Sequence, residues 1–320
     1  QKIILDLIER LSDRFEHRIL TGLVPTYVTY EGYPLSVANT QPAISRLLEQ
    51  FQPDVVHMHY WGMDDWMSQA VAEVKRFKRD RGTFFIQNSN NPIQVYFDEA
   101  IDSYVHVSRF VSQIQEKPIP EEKNTVIYPG VDPSEFGFCE NRSDYRSIGM
   151  VYRLTDDKIS RHTIEILIEL VKRLPDRIVT IIGDGPNLAH FMRRTREANV
   201  RANFHFTGFV RYDQLSSLYE KFDVFLAPVY HESYGVVTPY AMFKGNPVVS
   251  YRTDAMPELL GDDSFLVERD NINQIVECLK RLEDPETRQA AVRQNLDRAM
   301  KLFSLDSMLE SYSRLYGKCL

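Results

Sequence analysis

Residues 231–251 read HESYGVVTPYAMFKGNPVVSY, and this stretch is the most informative part of the sequence. An apolar run precedes it, and its first three residues form a polar, acidic tip. A pattern of helical spacing then extends from about Tyr234 to Phe243, before a glycine and a second apolar run. The order predicts a strand, a loop, a helix and another strand, with Glu232 at the place where the helix starts.

The acidic tip indicates a ligand site at the start of this helix. The first amides of a helix have no internal partners and carry a partial positive charge, so they suit an anion such as a phosphate. A carboxylate beside them, such as that of Glu232, can accept hydrogen bonds from sugar hydroxyls. The alternative is an ordinary buried strand–helix unit whose N-cap region contains a glutamate.

The stretch resembles the donor-site signature of GT-B retaining glycosyltransferases of glycosyltransferase family 4, also called glycosyl transferases group 1. The first four signature positions are, in order, Glu232, Ser233, Tyr234 and Gly235. The later Gly-x-Pro-Val-Val segment of the family is similar to residues 245–249. The family places a second glutamate eight positions after the first, and this chain has Tyr240 there.

A loop of the same family resembles residues 152–158, which read YRLTDDK after a predicted strand. The resemblance implies that Arg153 and Lys158 hold the diphosphate of the donor. Two cations at that place would stabilise the negative charge that a leaving nucleoside diphosphate gains. The alternative is a surface loop with a solvated arginine and a solvated lysine.

Two further segments complete the donor side that the resemblance implies. The turn GDGP at 183–186 resembles the family's Gly-x-Gly-Pro turn, although a plain strand–helix turn is the alternative. The run FTGFV at 206–210 resembles the loop that faces the nucleobase. The implied donor-binding residues are Arg153, Lys158, Asp184, Gly185, Gly208, Phe209, Val210, Ser233, Tyr234, Gly235, Val236 and Tyr240. The implied catalytic residues are Glu232, Arg153 and Lys158, with Glu232 positioning the donor sugar rather than attacking it.

The acceptor side is expected in the first half of the chain. The segment HMH at 57–59 ends a predicted strand, and the family often carries His-x-His there. Acceptor contacts are therefore expected from His57, His59, Trp61 and Asn88, with plain packing as the alternative. Asn88 lies near the position where the family often has a histidine. A zinc site at the two histidines lacks further ligands at recognisable spacing, so no metal is expected.

Composition indicates the class of protein, its cellular compartment and the partners it excludes. The 320 residues suit two domains or one large α/β domain, and 43% hydrophobic with 26% charged residues is ordinary for a soluble globular protein. The net charge of −7 argues against nucleic acid as a partner. Three scattered cysteines favour a reducing compartment, so a cytoplasmic location is expected. A basic stretch at 75–81 leaves peripheral contact with the inner face of a membrane open, although a helix dipole also explains it.

Alternating strand and helix patterns on both sides of a turn-rich stretch predict an α/β protein. With the resemblance, the expected fold is GT-B, with two Rossmann-like parallel-sheet domains facing an interdomain cleft. The N-terminal acceptor-side domain is expected at 1–138, with its first strand and Gly-rich loop missing. The nucleotide-sugar-binding domain is expected at 139–303, and a helix at 304–320 is expected to cross back to the N-terminal domain.

The resemblance implies a retaining hexosyltransferase of polysaccharide biosynthesis that needs no metal or cofactor. Its donor would be a UDP- or GDP-linked hexose, and its acceptor a glycan, a lipid or a small molecule. One alternative is a non-catalytic GT-B protein that binds a nucleotide, because Tyr240 replaces the usual glutamate. Another is a GT-B nucleotide-sugar epimerase or phosphorylase.

Overall fold

A computed structural model describes residues 2–22, 29–30, 33–60, 62–89, 95–139 and 145–319 of the chain. The chain divides into two compact units. The first unit consists of Gln1–Gly130 together with Leu305–Leu320, and the second consists of Val131–Ser304. Each unit is therefore an α/β structure of its own, and the last helix belongs to the first unit.

The elements of the first unit follow one another along the chain up to residue 126. They are α1 (Lys2–Leu11), β1 (Ile19–Thr21), β2 (Thr29–Tyr30), β3 (Tyr33–Val37), α2 (Gln41–Phe51), β4 (Val55–Tyr60), α3 (Asp65–Arg81), β5 (Phe84–Ser89), β6 (Ser103–His106), α4 (Arg109–Gln113) and β7 (Asn124–Val126).

The second unit contains the next set of elements, and one more helix returns to the first unit. The second unit has β8 (Ser147–Val151), α5 (Thr163–Arg173), β9 (Ile178–Ile182), α6 (Leu188–Glu197), β10 (Phe204–Gly208), α7 (Tyr212–Tyr219), β11 (Val224–Ala227), α8 (Val237–Phe243), β12 (Val248–Tyr251), α9 (Met256–Leu260), β13 (Leu266–Val267), α10 (Ile272–Arg281) and α11 (Pro285–Leu302). The helix of the first unit is α12 (Leu305–Tyr316).

Two sheets form the first unit. Strands β4, β5, β6 and β7 make a parallel sheet in that order, and β1 pairs in parallel with β3, which pairs antiparallel with β2. Helices α2 and α3 pack on one face of the four-stranded sheet, and α1 and α12 pack on the other. Because helices cover both faces of this sheet, its strands have the apolar character of a parallel sheet.

Local signals fix the bounds of helix α3. The side chain of Asp64 caps it by accepting a hydrogen bond from the amide of Met67 at 2.7 Å. Gly82 ends it in the left-handed conformation, with φ at 77°. The basic residues of the 75–81 stretch thus lie at the negative end of a helix dipole, which stabilises them there.

The second unit is one six-stranded parallel sheet in the order β10, β9, β8, β11, β12, β13. Strands β11 and β12 are buried along their whole length. The chain runs outward from β8 to β10 and then returns to β11, so the neighbouring strands β8 and β11 mark the switch point of the topology. Ligands of such sheets bind where the loops at this switch point leave the carboxyl edge.

The helix predicted from Tyr234 begins three residues later than expected, at Val237. Gly235 has φ at 73°, a left-handed conformation that a right-handed helix does not contain. The pattern of apolar residues did not reveal this interruption, because residues 234–236 keep helical spacing without being helical. The structure also contains α9, which the sequence patterns did not predict.

Three histidines lie on the four-stranded sheet of the first unit, one fully buried and two half-buried. His106 is fully buried, and burial lowers its pKa to about 4. Burial likewise lowers the pKa of His59 to about 4, and that of His57 well below its usual value. Desolvation disfavours the charged imidazole, so these side chains are held neutral in the folded unit.

No helix among the described residues is long and apolar enough to cross a membrane.

Acid is expected to destabilise the first unit through His106. Between pH 6.5 and about 4 the unfolded chain binds a proton at this residue and the folded chain does not. The free energy of unfolding should therefore fall as the pH drops through this range, by about 1.4 kcal/mol per pH unit from this group. Both tryptophans of the chain, Trp61 and Trp66, belong to the first unit, so their fluorescence reports its unfolding.

Urea unfolding of wild type and His106→Leu at several pH values checks this expectation. The substitution should make the pH dependence flatter, while His205→Leu, which removes an exposed histidine of the second unit, should leave it unchanged. An unchanged slope in His106→Leu would show that this residue is not held neutral.

Candidate functional site

The loops that follow β8 and β11 leave the same edge of the second sheet. These strands are hydrogen-bonded neighbours, although β9 and β10 lie between them in the sequence. The loop after β8 contains Arg153 and Lys158, and the loop after β11 contains Glu232. The topology thus brings two motifs, separated by more than 70 positions, to one place.

An ion pair joins the two loops. The ammonium of Lys158 lies 2.9 Å from Oε1 of Glu232 and donates a second hydrogen bond to the carbonyl of His231 at 2.8 Å. The Glu232 side chain is 8% exposed and that of Lys158 is 20% exposed. The amide of Tyr230 also donates to the carbonyl of Lys158, at 3.0 Å. Two of the predicted site residues are therefore in direct contact and largely buried.

Gly235 leaves room for the carboxylate of Glu232, because glycine has no side chain. A Cβ atom at this position would lie 2.6 Å from Cδ of Glu232 and 2.8 Å from its Oε2. The left-handed φ of 73° would also strain any other residue. The spacing Glu-x-x-Gly is thus a requirement of packing, because a larger residue would displace the carboxylate.

Asp254 anchors the backbone on the other side of Glu232, and sequence reasoning missed it. Its carboxylate accepts from the amide of Glu232 at 2.9 Å and lies 3.4 Å from Nδ1 of His231. The carbonyl of Glu232 accepts from the amide of Ala255 at 3.1 Å. Asp254 has a φ of 45°, which aspartate tolerates better than most residues. An aspartate after a strand gave no spacing signal that distinguishes it from a turn residue.

The glycine turn at 183–185 packs directly onto the loop after β8. A Cβ atom at Gly183 would lie 1.9 Å from the carbonyl oxygen of Tyr152, so only glycine fits. The amide of Leu154 donates to the carbonyl of Asp184 at 2.9 Å, and the amide of Gly183 donates to the carbonyl of Gly208 at 2.9 Å. Three of the predicted motifs are therefore connected by backbone hydrogen bonds.

Asn187 fixes the shape of the loop that carries Lys158, and the sequence analysis did not identify it. This side chain is 1% exposed. Its amide donates to the Asp156 carboxylate at 2.8 Å and to the Ile159 carbonyl at 3.0 Å, and its oxygen accepts from Arg161 at 3.1 Å. Loop residues on both sides of Lys158 are thus held by one buried amide.

Tyr152 occupies the position where the family has glycine, and it points into the protein. It is buried, and its ring lies against that of Phe225, with centroids 6.0 Å apart. Burial raises the pKa of its phenol, so the hydroxyl stays protonated. The side chain is therefore part of the packing beneath the loop.

Arg153 does not join the cluster around Glu232. Its side chain is 71% exposed, and its guanidinium lies 3.8 Å from the carboxylate of Asp157, which is also exposed. Exposed pairs of this kind contribute about 0–1 kcal/mol to stability. Reorientation of Arg153 toward a bound anion would therefore cost little free energy of folding.

The remaining donor-side residues differ widely in exposure. Phe209 is 76% exposed and Val236 is 37% exposed. Asp184 is exposed and accepts from the amide of Gly185 at 2.7 Å. Tyr234 is buried, and its ring packs edge-on against Phe303. Val210 and Ser233 are half-buried.

Tyr240 lies inside an aromatic cluster. Its ring stacks on that of Phe136, with centroids 4.0 Å apart and planes 5° from parallel. The rings of Tyr212 and Tyr219 meet it edge-on at 6.0 and 6.3 Å. Only 7% of Tyr240 is exposed. The residue at the family's second-glutamate position is thus packed against other side chains in this chain.

On the first unit, His57 lies in the middle of β4 and His59 near its carboxyl end, with ring centroids 4.4 Å apart. Nδ1 of His57 lies 2.8 Å from the hydroxyl of Tyr316, and Nδ2 of Asn88 lies 3.5 Å from Nδ1 of His59. Three of the four predicted acceptor-side residues therefore form one cluster, while Trp61 lies outside the described residues. In the described part of the chain, no group of three or more His, Cys, Asp or Glu residues is placed to hold a metal ion.

Comparison with known families identifies the chain. Residues 137–298 match the family described as "Glycosyl transferases group 1", and residues 7–135 match "Glycosyltransferase Family 4". The chain belongs to the glycosyl transferases group 1 family, as its motifs predicted. A similar curated protein is the 2-deoxystreptamine glucosyltransferase of Streptomyces kanamyceticus, 29% identical over 178 residues, which cover 53% of this chain and 46% of that protein. The chain spans about half the length of the first curated relatives that it matches.

Solved structures show the same fold. A glycosyltransferase from Rickettsia africae has a TM-score of 0.78 at 16% identity, covering 98% of this chain and 93% of that one. HepE from Anabaena, solved in complex with UDP and glucose, has a TM-score of 0.72 at 15% identity, covering 98% and 94%. The predicted fold class, α/β GT-B with two Rossmann-like parallel-sheet domains, is confirmed.

The burial of Tyr240 predicts how its substitutions behave. Tyr240→Glu should lower the free energy of unfolding of the second unit by about 3 kcal/mol or more, because it replaces a buried, stacked ring with a carboxylate among aromatic side chains. Tyr240→Phe is the matched control, since it keeps the stack on Phe136 and loses only the hydroxyl. Chemical denaturation followed by near-ultraviolet circular dichroism measures both. Equal stability of the two variants would show that residue 240 reaches solvent.

Proposed function

We propose that this protein transfers a hexosyl unit from a nucleotide-activated sugar to a hydroxyl of an acceptor. The observation that carries the proposal is the largely buried ion pair between Lys158 and Glu232 at the switch point of the second sheet. Membership of the glycosyl transferases group 1 family and the similarity to a structure solved with UDP and glucose support it. The donor class is a UDP- or GDP-linked hexose.

Lys158 would bind the donor diphosphate. An ammonium has three hydrogens to donate, and the two hydrogen bonds to Glu232 and His231 use two of them. The third is available to a phosphate oxygen on the exposed side. A contact at about 4 Å contributes about 4 kcal/mol before desolvation at an effective dielectric constant near 20. Because the ammonium is already held, it needs little reorganisation as charge develops on the leaving group.

Glu232 would position the sugar rather than the nucleotide. One of its oxygens, Oε1, is engaged by Lys158, and Oε2 lies on the side of Gly235, which has no side chain. A carboxylate accepts strong hydrogen bonds from hydroxyls, so this oxygen suits the hydroxyls of a hexose. The ion pair therefore sets the sugar and the diphosphate side by side.

Arg153 would add a second positive charge beside the diphosphate. Its exposed guanidinium lies 3.8 Å from the carboxylate of Asp157. A bound diphosphate offers a bidentate, charge-assisted alternative that is stronger than this surface pair. The backbone of residues 233–236, which leads into α8, would contribute amides on the other side of the anion.

The reaction would proceed with retention of the anomeric configuration and without a metal. The bond between C1 of the hexose and the phosphate oxygen breaks, and the bond between C1 and the acceptor oxygen forms on the same face. The departing phosphate oxygen takes the proton of the acceptor hydroxyl, so atoms and charge balance. Lys158 and Arg153 stabilise the negative charge on the leaving diphosphate during this step.

On the acceptor side, the cluster of His57, His59 and Asn88 on the first unit would contact the acceptor hydroxyl. We infer a glycan, lipid or small-molecule acceptor and a role in polysaccharide biosynthesis. The low cysteine content agrees with a reaction in the cytoplasm. The proposal includes peripheral contact of the protein with the inner face of the membrane.

A second candidate is a protein of this fold that binds a nucleotide without transferring sugar. The burial of Tyr240 at the position of the family's second glutamate favours it. Nucleotide binding without any sugar product, from a panel of nucleotide hexoses and acceptors, would select this candidate over a transferase.

Variants of the three charged residues test the proposal. Lys158→Ala and Arg153→Ala should each lower turnover by about 10²-fold or more, where each ~1.4 kcal/mol of lost stabilisation is tenfold. Glu232→Gln should lose transfer with a modest loss of nucleoside-diphosphate binding, because the carboxylate addresses the sugar. Arg193→Ala is the control for Arg153, since Arg193 is 63% exposed and lies 3.5 Å from Glu197 in an equivalent surface pair.

The assay combines nucleoside-diphosphate release from a panel of UDP- and GDP-hexoses with calorimetry of the free diphosphates. Turnover equal to wild type in both Lys158→Ala and Arg153→Ala contradicts the diphosphate assignment. Equal weakening of nucleoside-diphosphate and nucleotide-sugar binding in Glu232→Gln contradicts the role of that carboxylate.

A further inference from the structure

Tyr230 lies two residues before Glu232, in the loop after β11, and its backbone links four loops of the second sheet. Strands β8, β11, β12 and β13 are consecutive neighbours in that sheet. The amide of Tyr230 donates to the carbonyl of Lys158, in the loop after β8, at 3.0 Å. Its carbonyl accepts from Oγ1 of Thr253, after β12, at 3.1 Å and from Nη2 of Arg269, after β13, at 3.0 Å. One residue therefore connects the loops of four neighbouring strands.

The side chain of Tyr230 is anchored on Asp270, in the loop after β13. The hydroxyl of Tyr230 donates to this carboxylate and lies 2.7 Å from each of its two oxygens. The hydroxyl of Tyr251, on β12, donates to the same carboxylate at 3.0 Å. The guanidinium of Arg269 lies over the Tyr230 ring, 4.8 Å from its centroid. Because hydrogen bonds to a carboxylate are stronger than those between neutral groups, the ring is held at both its face and its tip.

These contacts act on the ion pair between Lys158 and Glu232 through a short backbone segment. The carbonyl of Lys158 accepts from the amide of Tyr230. The ammonium of the same lysine donates to the carbonyl of His231 and to the carboxylate of Glu232. The lysine and residues 230–232 thus form a closed ring of contacts. A displacement of Tyr230 would therefore move the backbone on which both charged side chains depend.

We propose that Tyr230, anchored on Asp270, is a positioning residue for the ion pair of the proposed sugar transfer. The inference rests on that proposed function, because the ion pair is the part of the site that would meet the donor. Since the hydroxyl of Tyr230 is engaged by Asp270, the residue would act through its backbone rather than on a ligand. A misplacement of about 1 Å can cost about 10²-fold in rate. Loss of the anchor should therefore appear in turnover, where preorganised charge matters most.

Variants that differ by a few atoms separate this role from a general contribution to folding. Tyr230→Phe keeps the ring beneath Arg269 and removes only the hydroxyl. Tyr251→Phe is the matched control, because it removes the other tyrosine hydroxyl on the same carboxylate, from a buried residue of β12. Asp270→Gly removes the carboxylate without strain at the φ of 59°, and Asp270→Asn keeps an acceptor oxygen at the same backbone conformation.

Tyr230→Phe and Asp270→Gly should each lower kcat by about tenfold or more, with the KM for the nucleotide sugar within about twofold of wild type. The double variant should lose no more than either single variant, because both break the same contact. Asp270→Asn should restore kcat to within about threefold of wild type, since its amide oxygen accepts from the tyrosine. Tyr251→Phe should leave kcat within about twofold of wild type, because its ring is not part of the loop after β11.

Three results of these assays would overturn the proposal. The first is a wild-type kcat in Tyr230→Phe, and the second is an equal loss of kcat in Tyr230→Phe and Tyr251→Phe. The third is a double variant of Tyr230 and Asp270 in which the two single losses multiply, since independent contacts add in free energy. Urea unfolding of every variant establishes that each assay is run on folded protein.

Amide hydrogen exchange supplies a readout that needs no transfer. The amides of Tyr230 and Glu232 are the reporters, because both donate hydrogen bonds to other loops. Their exchange should be about tenfold faster in Tyr230→Phe than in wild type or Tyr251→Phe, with the amide of Gly183 as an unchanged reference. Unchanged exchange at both reporters would overturn the anchor. A wild type that transfers no sugar from any nucleotide hexose contradicts the proposed function alone, and the exchange comparison then decides the anchor.

Discussion

The ion pair between Lys158 and Glu232 is the contact on which the ligand edge of the second unit depends. Removing one partner of a buried pair leaves an uncompensated charge, which typically costs about 3–5 kcal/mol, whereas two apolar residues of similar volume are often tolerated. Stability alone therefore does not explain the pair. The pair fixes a cation and an anion 2.9 Å apart, which in the proposed function would meet the diphosphate and the hydroxyls of the donor.

The surrounding structure serves this contact. Asn187 holds the loop of Lys158, Asp254 holds the backbone of Glu232, and Gly235 leaves room for the carboxylate. None of these three residues needs to touch a ligand, yet each restricts the position of Lys158 or of Glu232. Preorganisation of this kind is the largest single contribution to many enzymatic rate enhancements. The exposed Arg153 differs, because in the proposed function it would move onto a ligand that the fixed pair has already positioned.

Much of the fold followed from the sequence, because alternating apolar strands and amphipathic helices carry a local, repeated signal. The motif positions of Lys158 and Glu232 were also predictable, although their contact became evident only from the strand order. The start of α8 was not predictable, since residues 234–236 keep helical spacing while Gly235 breaks the backbone. Asp254 and Asn187 act through tertiary hydrogen bonds, which no spacing rule encodes. The burial of Tyr240 depends on Phe136, more than 100 positions away.

The most direct measurement of the central claim is a crystal structure of this chain with a bound UDP- or GDP-hexose. We expect Nζ of Lys158 within roughly 2.7–3.2 Å of a diphosphate oxygen, and a carboxylate oxygen of Glu232 at a similar distance from a hexose hydroxyl. A nucleotide sugar bound with its diphosphate away from Lys158, or with its hexose away from Glu232, would contradict the account.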